Sequence, residues 1–315
     1  MTIAGLFILI LPVFALIAVG AGLRRGHVVE GTAETSIIRL VVYLCMPCLA
    51  FDTIVGNDSL RVPGNLFLPP LAGFVVTCVG IGVSYVAARM IGLGKGTGLR
   101  TFAISAGICN YSYLPFPIVG SLWGQQTQGL LLVHNVGVDL ALWSVGIIVL
   151  TGSSLSSGWK RLISPMFVTI LGAVAINVLG LAPMVPGFLR SMVHSLAVCA
   201  VPLGLVMTGV NLANYLDEPA KLLHRNVALG ACLVRLGVLP VLMLLFAWVL
   251  PCSEELKRVL VVQAAMPAAV LPIIVAQYYG GQPLTAVQVV LSTTAAGLVT
   301  CPLWIRAGLA WLGIS

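Results

Sequence analysis

Apolar and polar positions fall in blocks along this chain. Long apolar runs alternate with short polar links. A helix needs roughly 20 apolar residues, at 1.5 Å rise each, to cross a bilayer. The pattern predicts ten spans, at about 3–23, 35–55, 66–91, 99–124, 128–151, 163–181, 188–213, 226–250, 256–281 and 284–312. Breaker residues support the boundaries. Thr32 to Glu34 supply cap chemistry for the second span, and Asn57-Asp58 and Pro63-Gly64 turn the chain after it. Asn214 to Pro219 close the seventh, and the Ser/Gly-rich stretch Ser153 to Lys160 marks the midpoint. The expected fold class is therefore an all-α polytopic membrane protein.

Two of these spans are broken in the middle. They are LRTFAISAGICNYSYLPFPIVGSLWG at 99–124 and LKRVLVVQAAMPAAVLPIIVAQYYGG at 256–281. Arg100 and Lys257 open them, Asn110 and Pro267 follow, then Pro115 and Pro272, and Gly124 and Gly281 close them. Each pair is separated by the same 157 residues. Ser36 to Pro47 is echoed by Ser191 to Pro202, and Pro12-x-Phe14 by Pro165-x-Phe167. The expectation is two repeats, 1–155 and 156–315. Five spans per repeat is an odd number, so the second copy enters the membrane from the opposite side. Inverted repeats with helices broken at mid-membrane are the architecture of secondary transporters.

Composition agrees. The 315 residues are 59% hydrophobic and 8% charged, with mean hydropathy +1.09, against roughly 25% charged in a soluble domain. The net charge of +7 is scattered at span ends, which argues against a nucleic-acid partner and for an orientation signal. With the N-terminus outside, ten Lys and Arg fall on the inner side and five on the outer, with Arg235 deep in the eighth span. Both termini are thus expected to be non-cytoplasmic, in an inner (plasma) membrane. The eight cysteines lie in apolar runs or at a helix end, and Cys45-x-x-Cys48 sits inside a span, so they read as small hydrophobes. No metal or cofactor motif is seen. The loop GLGKGTG at 92–98 lacks phosphate-loop spacing. The first apolar run has no basic region before it and ends at Arg24-Arg25, as a retained helix does.

The stretches LPVFALIAVGAGLRR and RLVVYLCMPCLAF resemble the opening of the auxin efflux carrier family, which includes plant PIN proteins and bacterial malonate and malate permeases. CNYSYLPFPIVGSLWG is similar to that family's Asn-containing crossover, and AAMPAAVLPIIVAQYYG with STTAAGLVTCPLW to its C-terminal signature. The resemblance implies a scaffold of spans 1, 2, 6 and 7 and a transport domain of spans 3–5 and 8–10. It also implies that the broken fourth and ninth spans cross at the substrate site, and that the protein is a homodimer. The long loop of many plant members is absent; only Ser153 to Lys160 stands there, as in a compact bacterial permease.

The candidate substrate residues follow from the breaks. A break frees backbone groups that protein, water or substrate must satisfy, and half-helix N-termini favour a carboxylate. Asn110, Tyr111, Ser112 and Pro115 occupy the first break, Pro267 and Pro272 the second, and Gln263 lies one turn before Pro267. Pro267 in place of Asn110 makes the site asymmetric. Ser292 and Thr293 form a polar patch in the tenth span, where they line the site or pack helices. Asp139 is the acidic residue deep in a span, with Asn135 one turn earlier and His134 beside it. It is a candidate for a coupling proton or for pairing with Arg235. The leading expectation is an alternating-access carrier of a small organic anion, auxin-like or dicarboxylate, and not an enzyme. Proton coupling, uniport and sodium coupling all fit the sequence. The rivals are a membrane receptor or sensor and a membrane-embedded enzyme; the latter lacks any clustered catalytic motif.

Overall fold

The computed structural model describes residues 2–94, 96–152, 164–215 and 224–314. Lys95, the expected midpoint link Ser153 to Lys160, Arg161, and the end of the Asn214 to Pro219 turn with Lys221 lie outside the described residues. The described chain is helical, with one isolated antiparallel bridge, Cys109 to Ala268. In chain order the helices are α1 Ile3–Arg25, α2 Gly31–Ile54, α3 Gly64–Met90, α4 Leu99–Gly107, α5 Pro115–Thr151 and α6 Pro165–Val178. They continue with α7 Gly187–Ala213, α8 Arg225–Val249, α9 Glu254–Ala265, α10 Leu271–Tyr278 and α11 Pro283–Leu312.

Seven of these, α1, α2, α3, α5, α7, α8 and α11, are long and apolar enough to cross a membrane. The fourth and ninth expected spans are split into α4 plus the start of α5, and α9 plus α10, while α6 has 14 residues. Local chemistry explains the ends. Ser164 and Ser253 cap α6 and α9 by accepting from the amides of Phe167 and Leu256. Pro115 and Pro272 stand in the first turns of α5 and α10, where a missing N–H costs nothing. Gly124 takes φ 79°, ψ −171° inside α5, outside the helical region, so α5 is two successive helical stretches that meet at a kink where the fourth expected span gives way to the fifth. Single π-turns at Val41–Cys45, Leu142–Gly146 and Val234–Val238 interrupt α2, α5 and α8.

Two groups of helices form around the breaks. α1, α2 and α6 pack with α7 or with one another, while α3, α4 and α5 pack together and are joined to α8, α9 and α11 by contacts of α5 with α9 and α4 with α11. Small residues allow the closest approaches, as expected where lipid removes the hydrophobic drive between helices. A Cβ on Gly209 of α7 would lie 1.9 Å from the Ile17 carbonyl oxygen of α1. One on Gly107 of α4 would lie 2.6 Å from the Ile81 nitrogen of α3. On the outside, Ile8, Phe67, Met90, Phe188 and Trp248 are all exposed. So broad an apolar surface is the lipid-facing belt of a multi-pass membrane protein.

Candidate functional site

The two breaks meet each other. The Asn110 amide donates to the Pro267 carbonyl at 2.7 Å, and the Ala269 amide to the Ile108 carbonyl at 3.0 Å. These bonds form one rung of an antiparallel ladder, placed where two helices stop. Every second opposed pair in such a ladder exchanges two bonds. Asn110 and Pro267 are opposed and exchange one, because proline has no N–H to return. The residue types at the break thus leave the Asn110 carbonyl without that partner. The Ala268 amide turns instead to the Thr293 hydroxyl at 3.1 Å, which itself donates to the Val289 carbonyl.

A cavity of about 340 Å³ lies against this junction. Asn110, Tyr111, Ser112, Asn135 and Asp139 line it from the first break and α5. Ala269, Val270 and Leu271 line it from the second. Opposite stand Val42 and Met46 of α2, Met166 and Phe167 of α6, and Met207 and Asn211 of α7. The cavity therefore separates the two helix groups, with the breaks on one wall.

Its polar residues are tied together. Tyr111 donates its hydroxyl to Asp139 at 2.7 Å. Asn135 donates its amide to the Tyr111 carbonyl at 2.8 Å and reaches the Ser112 hydroxyl at 3.3 Å. Gln263, fully buried at the end of α9, donates to the same Tyr111 carbonyl at 3.0 Å and to the Asn135 side-chain oxygen at 3.1 Å, and accepts from the Cys109 thiol. Gln263 thus binds the second half of the chain to the first break without lining the cavity. Asn110 holds its side-chain oxygen 3.5 Å from the Leu114 amide at the start of α5.

Other expected residues lie away from the cavity. Pro115, Pro267 and Pro272 shape the breaks and do not line it. Thr293 is buried and serves the backbone of the second break, and Ser292 donates to the Gln288 carbonyl. His134 is buried and faces Asn135, with Nδ1 at 3.3 Å from its side-chain oxygen. The considered Asp139–Arg235 pair is not formed. Arg235, buried in α8, donates to the carbonyls of Gln263 at 3.5 Å and Ala264 at 3.3 Å. A cation at the negative end of α9 offsets the carbonyls that the break leaves open. Sequence reasoning did not single out Tyr113, Trp143, Thr208 and Asn211, which also line the cavity. Asn211 and Thr208 are polar residues inside an apolar span, which is a signal of the same kind as Asp139.

The cavity lining extends to Ile38, Ser164 and Asn211, toward the face where α1 ends. The opposite face, where α2 ends, carries a polar lattice. Gln125 donates to the Asp52 carbonyl at 2.7 Å, Asn57 to the Gln126 carbonyl at 3.0 Å, and Ser59 to the Gln126 side chain at 3.1 Å. Asn177 of α6 joins it by accepting from Gly56 and donating to the Asn57 carbonyl. His194 of α7 reaches Asp52 at 3.1 Å.

Broken apolar helices that meet at a cavity between two helix groups define a membrane transport protein. The membrane transport protein family, which is the auxin efflux carrier family, matches residues 6–157 and 153–305, and the chain belongs to it. An uncharacterized transporter of Methanothermobacter thermautotrophicus is 25% identical over 304 residues, covering 94% of this chain and 96% of that one. An uncharacterized transporter of Methanocaldococcus jannaschii is 22% identical over 305 residues, with the same coverage of both chains.

Proposed function

We propose that the chain is a secondary carrier that moves a small organic anion across the plasma membrane by alternating access. The observation that carries this reading is the junction of the two breaks on one wall of a cavity that separates two helix groups. Half-helix N-termini at Pro115 and Leu271 supply partial positive charge there, and the Asn110 side-chain amide supplies a donor. Asn110, Tyr111 and Ser112 form the substrate-facing set in this account. Gln263, Thr293 and the break prolines hold it in place.

The proposal includes ten spans in two inverted five-span repeats, 1–155 and 156–315. Support comes from the 157-residue offset, from the encounter of the equivalent residues Asn110 and Pro267, and from family matches that meet at 153–157. It takes α1, α2, α6 and α7 as the scaffold and the remaining helices as the moving unit. The family resemblance adds a homodimer. In this orientation both termini lie outside the cytoplasm, so the cavity faces inward and the lattice around Gln125 and Gln126 closes the outer side.

The test is uptake by the purified protein in proteoliposomes, scanning malonate, malate and indole-3-acetate with and without a pH gradient. Saturable flux of a carboxylate is expected. Ligand binding that never yields flux under any gradient identifies a receptor and sinks the proposal.

A further inference from the structure

A second cavity, of about 190 Å³, lies on the face where α1 ends. It sits where α4 and α11 begin and where α5 and α10 end, away from the junction of the breaks. Ligand pockets for drug-sized molecules run to roughly 300–1,000 Å³, so this one suits a small ion or headgroup. Its lining is polar. Arg100, Thr101, Thr151, Tyr279 and Gln282 surround it, and no acidic residue stands among the described residues of its wall. The Arg100 guanidinium gives one N–H to the Leu150 carbonyl at 3.4 Å and takes part in none of the ion pairs among the described residues. Gly152, at φ 71°, makes room for it: a Cβ there would lie 2.6 Å from both terminal guanidinium nitrogens. Thr101 is buried beside it. Its hydroxyl oxygen accepts from the Gln282 backbone amide at 2.9 Å, which leaves the hydroxyl hydrogen to donate.

The 157-residue offset supplies a comparison within the chain. It pairs Thr97 with Glu254, Thr101 with Arg258 and Gly280 with Trp123. On the opposite face Arg258 donates to Glu254 at 2.7 Å and lies over the Trp123 ring, 5.6 Å from its centroid. There the chain brings its own carboxylate and fills the space with an indole. On the α1-end face threonine and glycine stand at those two positions, while a cation is kept one residue earlier, at Arg100. The result is a cationic hollow whose anion the chain does not supply. Arginine forks bind phosphate through parallel hydrogen bonds, and basic pockets between helices at a membrane surface bind phosphate headgroups. Tyr278 and Leu284, which flank the cavity in sequence, are exposed as part of the lipid-facing belt. We infer that this cavity is an anion site, separate from the cavity at the breaks, that holds a phosphate group on Arg100 and Thr101. The phosphate can be free or belong to an anionic lipid; the chemistry at Arg100 is shared. Once bound, it ties the start of α4 to the end of α10, the far ends of two half-helices that lead to the breaks.

The experiment is a thermal scan of the intact purified protein in detergent. Inorganic phosphate is titrated against chloride at equal ionic strength, and phosphatidylglycerol against phosphatidylcholine of the same chain length. Phosphate or phosphatidylglycerol should raise the melting temperature saturably, and chloride and phosphatidylcholine should not. A response to free phosphate alone identifies a soluble ligand, and one to phosphatidylglycerol alone a lipid headgroup; both support the site. Arg100→Gln should raise the half-saturating concentration about tenfold or more, each variant being read against its own baseline. Arg258→Gln, which removes the arginine on the other face, should leave the response unchanged. Thr101→Val keeps the shape and removes the donor hydroxyl, and it should weaken the response even if Arg100→Gln does not fold. No response of the wild type to either probe overturns the inference. An unchanged response in Arg100→Gln, or an equal loss in Arg258→Gln, overturns it as well.

Discussion

Weakening the lattice on the α2-end face should turn the cavity toward the other side of the membrane. Three hydrogen bonds join the end of α2 and the following turn to the Gln125–Gln126 kink: Gln125 to Asp52 at 2.7 Å, Asn57 to Gln126 at 3.0 Å, and Ser59 to Gln126 at 3.1 Å. Each is worth about 1 kcal/mol net, so Asn57→Ala shifts the balance of the two states by roughly fivefold. The triple variant Asn57→Ala, Ser59→Ala, Gln125→Ala removes about 3 kcal/mol, on the order of a 100-fold shift. The assay places one cysteine at Asn211, on the cavity wall, in an otherwise cysteine-free protein. A membrane-impermeant maleimide added on the α1-end face should label it in the wild-type background, more slowly in Asn57→Ala, and far more slowly in the triple variant. Equal labelling of the triple variant and the parent would refute the assignment of this lattice as the closed gate.

Other consequences follow from single residues. Asn110→Ala should impair carboxylate binding about tenfold or more with an unchanged melting temperature, read by calorimetry and a thermal scan. Arg235→Leu leaves the Gln263 and Ala264 carbonyls without their cation and should cost on the order of 2–5 kcal/mol, seen as a large fall in melting temperature; Arg235→Lys should recover part of it. Gly107→Ala drives a Cβ into the α3 backbone, 2.6 Å from the Ile81 nitrogen, which no rotamer change can relieve. It should cost about 1–3 kcal/mol or more and abolish flux, whereas Gly172→Ala, with open space around it, should do neither.

Much of the fold was legible because bilayer thickness and the missing N–H of proline write themselves into sequence. The apolar runs gave the long helices within a few residues, and Pro115, Pro272 and Asn110 marked both breaks. The equal offset of Asn110 and Pro267 went further, since the two residues meet in one hydrogen bond. What stayed hidden depends on side chains that converge from distant segments. Asp139 could be singled out as a charge in an apolar run, but its partner Tyr111 lies 28 residues away and no pattern links them. Arg235 looked like a mate for Asp139 on charge alone; the open carbonyls at the end of α9 attract it instead. Thr293 was read as site or packing, and it serves the backbone of the second break. The π-turns at Val41–Cys45 and Val234–Val238 lie two residues before Pro47 and Pro240, and the one at Leu142–Gly146 ends on a glycine, signals that the apolar pattern alone passes over.

Counterflow tests the central claim most directly. Sealed proteoliposomes are loaded with an excess of unlabelled ligand, diluted, and given a trace of the same ligand with a radiolabel outside. A carrier whose one cavity opens to alternate sides must accumulate label transiently above equilibrium, with no ion gradient present. The account predicts that overshoot for the best-bound carboxylate and its loss in Asn110→Ala. Entry of label that rises only to equilibrium, or no entry at all despite saturable binding, would contradict it.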